Sequence, residues 1–152
     1  MSIALALHVL SVVVWVGGMF FAYMCLRPAA VEVLEPPLRL QLWVATFRRF
    51  FPFVWAAVIL IPAAGYWMIG KFGGFANLPL YVHIMNGLGI VMILIFLHVF
   101  FAPYRRLRRA VEAADWPAGG KALAQIRMLV GTNTLIGLAT VAIATGGRYL
   151  IH

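Results

Sequence analysis

The chain has 152 residues, of which 64% are hydrophobic and 11% charged, and its twelve lysines and arginines outnumber four acids to give a net charge of +8. Soluble domains are usually about 45–50% apolar and about 25% charged, so this composition excludes an ordinary soluble protein and a disordered chain. Positive charge can indicate nucleic-acid binding, but in so apolar a chain it indicates membrane topology. We therefore expect no nucleic-acid partner.

A membrane-spanning helix needs about 20 mostly apolar residues, and four segments meet this requirement. They are about 3–26, 50–70, 78–102 and 128–149. Pro62 should kink the second segment because proline lacks the backbone N–H. Asp115, Trp116 and Pro117 form a helix-start pattern ahead of the fourth segment. The sequence predicts an all-α fold, a four-transmembrane-helix bundle that forms one domain over residues 1–152.

Most basic residues lie in the two connections at 27–49 and 103–127. Ten of the twelve are there, against Lys71 and Arg148 on the side of the chain termini. The ten are Arg27, Arg39, Arg48, Arg49, Arg105, Arg106, Arg108, Arg109, Lys121 and Arg127. The positive-inside rule predicts that both connections are cytoplasmic and both termini are outside. We expect a multi-pass protein of the bacterial inner membrane, in contact with membrane lipid.

Three histidines lie within the predicted spans, where polar groups are rare and often functional: His8, His83 and His98. Helical rise places His8 and His83 at similar depth, roughly 10 Å outside the midplane, and His98 near the cytoplasmic end of the third span. Two imidazoles at one depth can bind a haem iron from both sides. This pattern favours His8 and His83 as axial ligands inside the bundle, with His98 as a third candidate.

A haem site also needs space and positive partners for its propionates. Gly18, three residues after Trp15, leaves room in the first span for close helix packing or for a flat cofactor. Arg148 and Lys71 are the propionate candidates on the outer side. Arg48 and Arg49 would serve a haem closer to the cytoplasm.

Copper is the competing ligand, because Cu(I) favours thioether, thiolate and imidazole groups. At helical spacing His8, Trp15 and Met19 share one face of the first span, so Met19 joins the histidines as a candidate metal ligand. On the third span, Met92 points away from His83 by roughly 180°. A continuous track of histidine and methionine on that helix is therefore not predicted.

Other polar side chains in or near the spans could bond across helices or bind a ligand. They are Asn86, Thr132, Asn133, Thr134, Thr140 and Thr145. The spans contain no aspartate or glutamate, which argues against a proton relay of the pump type.

The segment from Leu7 to Phe21 carries the pattern HxxxxxxWxGG and resembles the first helix of the CopD (copper resistance D) family. Members of that family are small bacterial membrane proteins linked to copper uptake. The chain is also similar to HemJ-type membrane proteins, which contain haem b and act as protoporphyrinogen oxidases. His8, and His98 followed by Tyr104, match that pattern. The chain departs from it at Met85, where that family has lysine.

Our main prediction is a haem b-binding, cytochrome b-like membrane protein with an electron-transfer or oxidoreductase role and a quinone or other redox partner. One alternative is a copper-binding or copper-import protein without haem. Another is a cofactor-free membrane assembly subunit. A homodimer is compatible with a bundle of this size.

Overall fold

The computed structural model describes residues 1–150, and these form helices and short connections without any strand. The helices are α1 (Ser2–Phe21), a π-helical turn (Ala22–Leu26), α2 (Arg27–Val33), α3 (Pro36–Lys71), a 3-10 turn (Phe75–Asn77), α4 (Leu80–Phe101), α5 (Pro103–Glu112) and α6 (Trp116–Leu150). Four helical stretches are long and apolar enough to cross a membrane. This confirms the prediction of an all-α protein with four transmembrane helices.

The helices extend well beyond the predicted spans. α3 begins at Pro36 and α6 at Trp116, so most of the connections at 27–49 and 103–127 are helical. α6 starts where the sequence predicts. The Oδ1 of Asp115 accepts a hydrogen bond from the backbone N–H of Ala118 at 3.3 Å. Charged side chains outside the lipid do not interrupt backbone hydrogen bonding, so the end of an apolar segment need not end a helix.

Each membrane helix runs opposite to the next. α1 packs mainly against α3, and α4 packs mainly against α6. We call the end of the bundle that carries Ser2, the 72–79 connection and Leu150 the terminal side. The opposite end carries α2, α5 and the first turns of α3 and α6, and we call it the basic side.

Aromatic rings fill the core toward the basic side. Phe47 and Phe51 stack with their centroids 4.9 Å apart, and the ring of Tyr104 meets both edge-on. The buried residues of α5 are Pro103, Tyr104, Leu107 and Ala110, whereas its four arginines are exposed. α5 is therefore amphipathic and is held to the bundle by its apolar face.

Candidate functional site

His8 lies between α1 and α3 on the terminal side, half-buried. Its Nδ1 is 2.9 Å from the carbonyl oxygen of Ile61. A carbonyl oxygen only accepts, so Nδ1 donates the proton and the Nε2 lone pair stays available. Metal-binding histidines commonly donate their other ring N–H to a backbone carbonyl in this way. The hydrogen bond therefore orients His8 as a metal ligand would be oriented.

Gly65 lies against this imidazole. A Cβ atom at residue 65 would be in van der Waals contact with the ring, 3.4 Å from Cε1 of His8. Met68 follows on the same face of α3, seven residues after Ile61, and is half-buried. Sequence reasoning missed Met68, because the sequence does not show which face of α3 meets α1.

A central cavity of about 170 Å³ lies between α1, α3, α4 and α6. Trp15 and Met19 line it and are only 3% and 4% exposed. Asn133 of α6 also lines it: its Nδ2 donates to the carbonyl of Met92 at 3.2 Å, and its buried Oδ1 has no partner. Thr46 also lines the cavity, but its hydroxyl donates to the carbonyl of Leu42. The cavity thus offers one thioether and one unpaired carbonyl oxygen.

Trp15 and Met19 share a buried face of α1, and Gly18 lies against Phe50 of α3. The Phe50 ring occupies the position that a Cβ at Gly18 would take. Gly18 therefore permits close packing of α1 on α3 at the wall of the central cavity.

The other two histidines face outward, contrary to the expected position inside the bundle. Both His83 and His98 are exposed, and the nearest ring to His83 is that of Phe75 in the 72–79 connection. Met92 is buried, so the predicted opposition of Met92 and His83 is correct. No hydrogen bond or ring contact within residues 1–150 joins His8 to His83.

The arginines expected to bind propionates are likewise on the surface. Arg48, Arg49 and Arg148 are all exposed, and none of them lines the central cavity. Arg49 donates to the carbonyl of Ala45 at 3.1 Å, and the guanidinium of Arg148 covers the Tyr149 ring at 4.9 Å. The geometry thus gives the haem hypothesis no support.

Only the two asparagines among the six predicted polar residues bond across helices. Asn86 accepts from the Tyr66 hydroxyl at 2.9 Å, and Asn133 donates to α4 as described. The four threonine hydroxyls donate to carbonyls of their own helix, four residues earlier. Asn133 therefore remains the one polar residue of this set with an unpaired buried atom among the described residues.

Across residues 1–150, no group of three or more histidine, cysteine, aspartate or glutamate side chains is placed to hold a metal ion. The family model for copper resistance protein D matches residues 44–146, about two thirds of the chain. No curated protein and no solved structure matches the chain. The matched region includes Gly65, Met68 and Asn133. It leaves out α1, which carries His8, Trp15 and Met19.

Proposed function

Because the chain belongs to the copper resistance protein D (CopD) family of membrane proteins, we propose that it carries copper across the membrane as Cu(I). The observation behind this proposal is the family match over residues 44–146. Copper is the transported substrate here and not a resident cofactor. We further propose that the membrane is the bacterial inner membrane, with the basic side in the cytoplasm.

His8 and Met68 are the proposed first ligands for copper on the terminal side. The Nε2 lone pair of His8 is held ready by the Nδ1 hydrogen bond to Ile61. Met68 lies on the α3 face that carries Ile61 and Gly65. An imidazole and a thioether suit Cu(I), which accepts few and soft ligands.

Met19 is the proposed next ligand, deeper in the bundle. It lies eleven residues after His8 on the same face of α1, about 16 Å farther along the helix. Its side chain lines the central cavity with Trp15 and Asn133. Sites with one or two ligands bind weakly enough to release an ion, and conduction requires such release.

Copper accumulation in cells tests this function. Cells that express the chain should accumulate several-fold more copper than cells with an empty vector. Met19→Leu conserves side-chain volume but removes the thioether, and we expect it to abolish most of the gain, as should His8→Ala. His98→Ala is the matched control, because His98 is exposed and does not line the central cavity, and it should retain the gain.

Membrane levels of each variant are compared by immunoblot, so that loss of protein is separated from loss of transport. Equal copper in cells with the chain and with empty vector would contradict transport and favour the assembly-subunit alternative. Full accumulation by both His8→Ala and Met19→Leu would show that the proposed route is wrong.

A further inference from the structure

A second cavity, on the basic side, has a positively charged lining that copper transport does not explain. It encloses about 200 Å³ between the π-helical turn, α2, the first turns of α3 and the first turns of α6. Three of its lining residues are arginines, Arg27, Arg39 and Arg127, and none is an aspartate or glutamate. A site of this sign repels a metal cation and attracts an anion.

Two of these arginines are held in place by backbone carbonyls. The Nε of Arg27 donates to the carbonyl of Tyr23 at 3.3 Å, and its guanidinium lies over the Tyr23 ring at 4.6 Å. An Nη2 of Arg39 donates to the carbonyl of Leu34 at 3.1 Å, but its buried Nε has no partner. Leaving a buried donor unpaired is unfavourable, so the cavity is suited to an acceptor that would satisfy it.

The remaining wall is apolar and aromatic. Trp43, Trp116, Leu40 and Leu123 line it, and Ala22, Phe47 and Val130 line both this cavity and the central one. The apolar surface therefore continues from the arginines toward the middle of the bundle. A ligand that fits both parts has an anionic head and an apolar tail.

We propose that this cavity binds one anionic phospholipid from the leaflet on the basic side. The phosphate oxygens would accept hydrogen bonds from Arg27, Arg39 and Arg127, since guanidinium groups match phosphate geometry well. The part of an acyl chain next to the headgroup would cover the aromatic wall. Basic pockets between membrane helices recognise lipid headgroups in this manner. Free phosphate has the same head chemistry but would leave the apolar wall uncovered.

Thermal unfolding of the purified full chain in a neutral detergent tests the proposal. Phosphatidylglycerol should raise the Tm by several degrees, whereas phosphatidylcholine and inorganic phosphate should not. Native mass spectrometry should show one phosphatidylglycerol bound per chain. Arg39→Gln should lose the Tm shift and the bound lipid. Arg109→Gln, which removes the same charge from an exposed site on α5, should keep both.

Gly120→Leu provides a second variant that retains every arginine. Gly120 lines the cavity, and a Cβ built there meets no atom within 4 Å. The added side chain should therefore be tolerated, obstruct the apolar part and reduce the lipid-induced Tm shift. An equal shift with inorganic phosphate would assign the site to a free anion. An equal shift for wild type, Arg39→Gln and Gly120→Leu would overturn the proposal.

Discussion

The contact between Gly18 and Phe50 shows how one missing side chain sets the approach of two helices. The ring of Phe50 lies where a Cβ at Gly18 would be, whereas a Cβ at the neighbouring Gly17 would meet nothing within 4 Å. The two glycines are adjacent in the sequence but face different surroundings. Substituting each in turn separates helix packing from helix propensity.

We expect Gly18→Ala to destabilise the protein by about 1–3 kcal/mol, because α1 and α3 must move apart or Phe50 must leave its rotamer. Gly17→Ala should leave stability unchanged or raise it by up to about 1 kcal/mol, because alanine is the better helix former. Thermal unfolding in detergent measures both. The same loss for both variants would mean that the Phe50 contact is not the cause.

The histidines show the limit of sequence reasoning at this scale. Spacing correctly predicts relative angles on one helix, and it places Met92 opposite His83. It does not show which face of α4 meets the bundle, and the structure places His83 and His98 on the exposed face. The Nδ1 hydrogen bond of His8 depends on Ile61, 53 residues away, so no local pattern could reveal it.

At the scale of elements, the π-helical turn at Ala22–Leu26 joins α1 to α2 without a break. The backbone N–H of Arg27 reaches back to the carbonyl of Ala22. Pro28 has no N–H to offer to the carbonyl of Tyr23, and the Arg27 side chain satisfies that carbonyl instead. Such turns often occur at functional sites, and this one forms part of the proposed lipid cavity.

The connection between α5 and α6 contains a strained residue. Ala114 has φ of 53°, the only positive φ outside glycine in the described chain, and the next N–H, of Asp115, donates to the carbonyl of Ala110 at 2.8 Å. This is the geometry in which glycine usually ends a helix. Alanine in the left-handed region carries a cost of about 1–2 kcal/mol.

Ala114→Gly should therefore raise the free energy of unfolding by about 0.5–1 kcal/mol, after allowance for the greater freedom of glycine in the unfolded chain. Ala113→Gly is the matched control, because Ala113 has a negative φ of −85° in the right-handed region. This variant should show no rise in the free energy of unfolding and a loss of up to about 1 kcal/mol. Chemical or thermal unfolding of both variants measures these changes. A loss of stability for Ala114→Gly would contradict the strain argument.

Elements were predictable where a local signal marks them. The four apolar segments and the start of α6 after Asp115 were of this kind. The continuation of α3 and α6 into the charged segments was not, because hydropathy reports contact with lipid rather than helix ends. For α5 the sequence predicts only a basic connection, although the buried Tyr104 and Leu107 make this segment an amphipathic helix.

For the whole molecule, charge distinguishes the two ends of the bundle. The basic side carries the four exposed arginines of α5 and the three that line the second cavity. Its asymmetry was visible in the sequence. The cavity was not, because Arg27, Arg39 and Arg127 come from three separate helices whose packing only the structure gives.

Orientation in the membrane connects this asymmetry to the direction of copper movement. The sequence has a single cysteine, Cys25, so Cys25→Ser gives a background free of thiols. In that background we expect Ala76→Cys, in the exposed 72–79 connection, to react with a membrane-impermeant maleimide in intact spheroplasts. Ala113→Cys, exposed on the basic side, should react only after permeabilisation, because positively charged connections are retained in the cytoplasm.

The opposite labelling pattern would place His8 and Met68 on the cytoplasmic side. Copper would then meet those ligands from inside the cell. The expected direction of copper transport would be export instead of import, with the same ligands. Copper accumulation discriminates between these cases independently, because import raises cellular copper and export lowers it. Import therefore requires two results together. Ala76→Cys must be labelled from outside the cell, and cellular copper must rise in a way that depends on His8 and Met19.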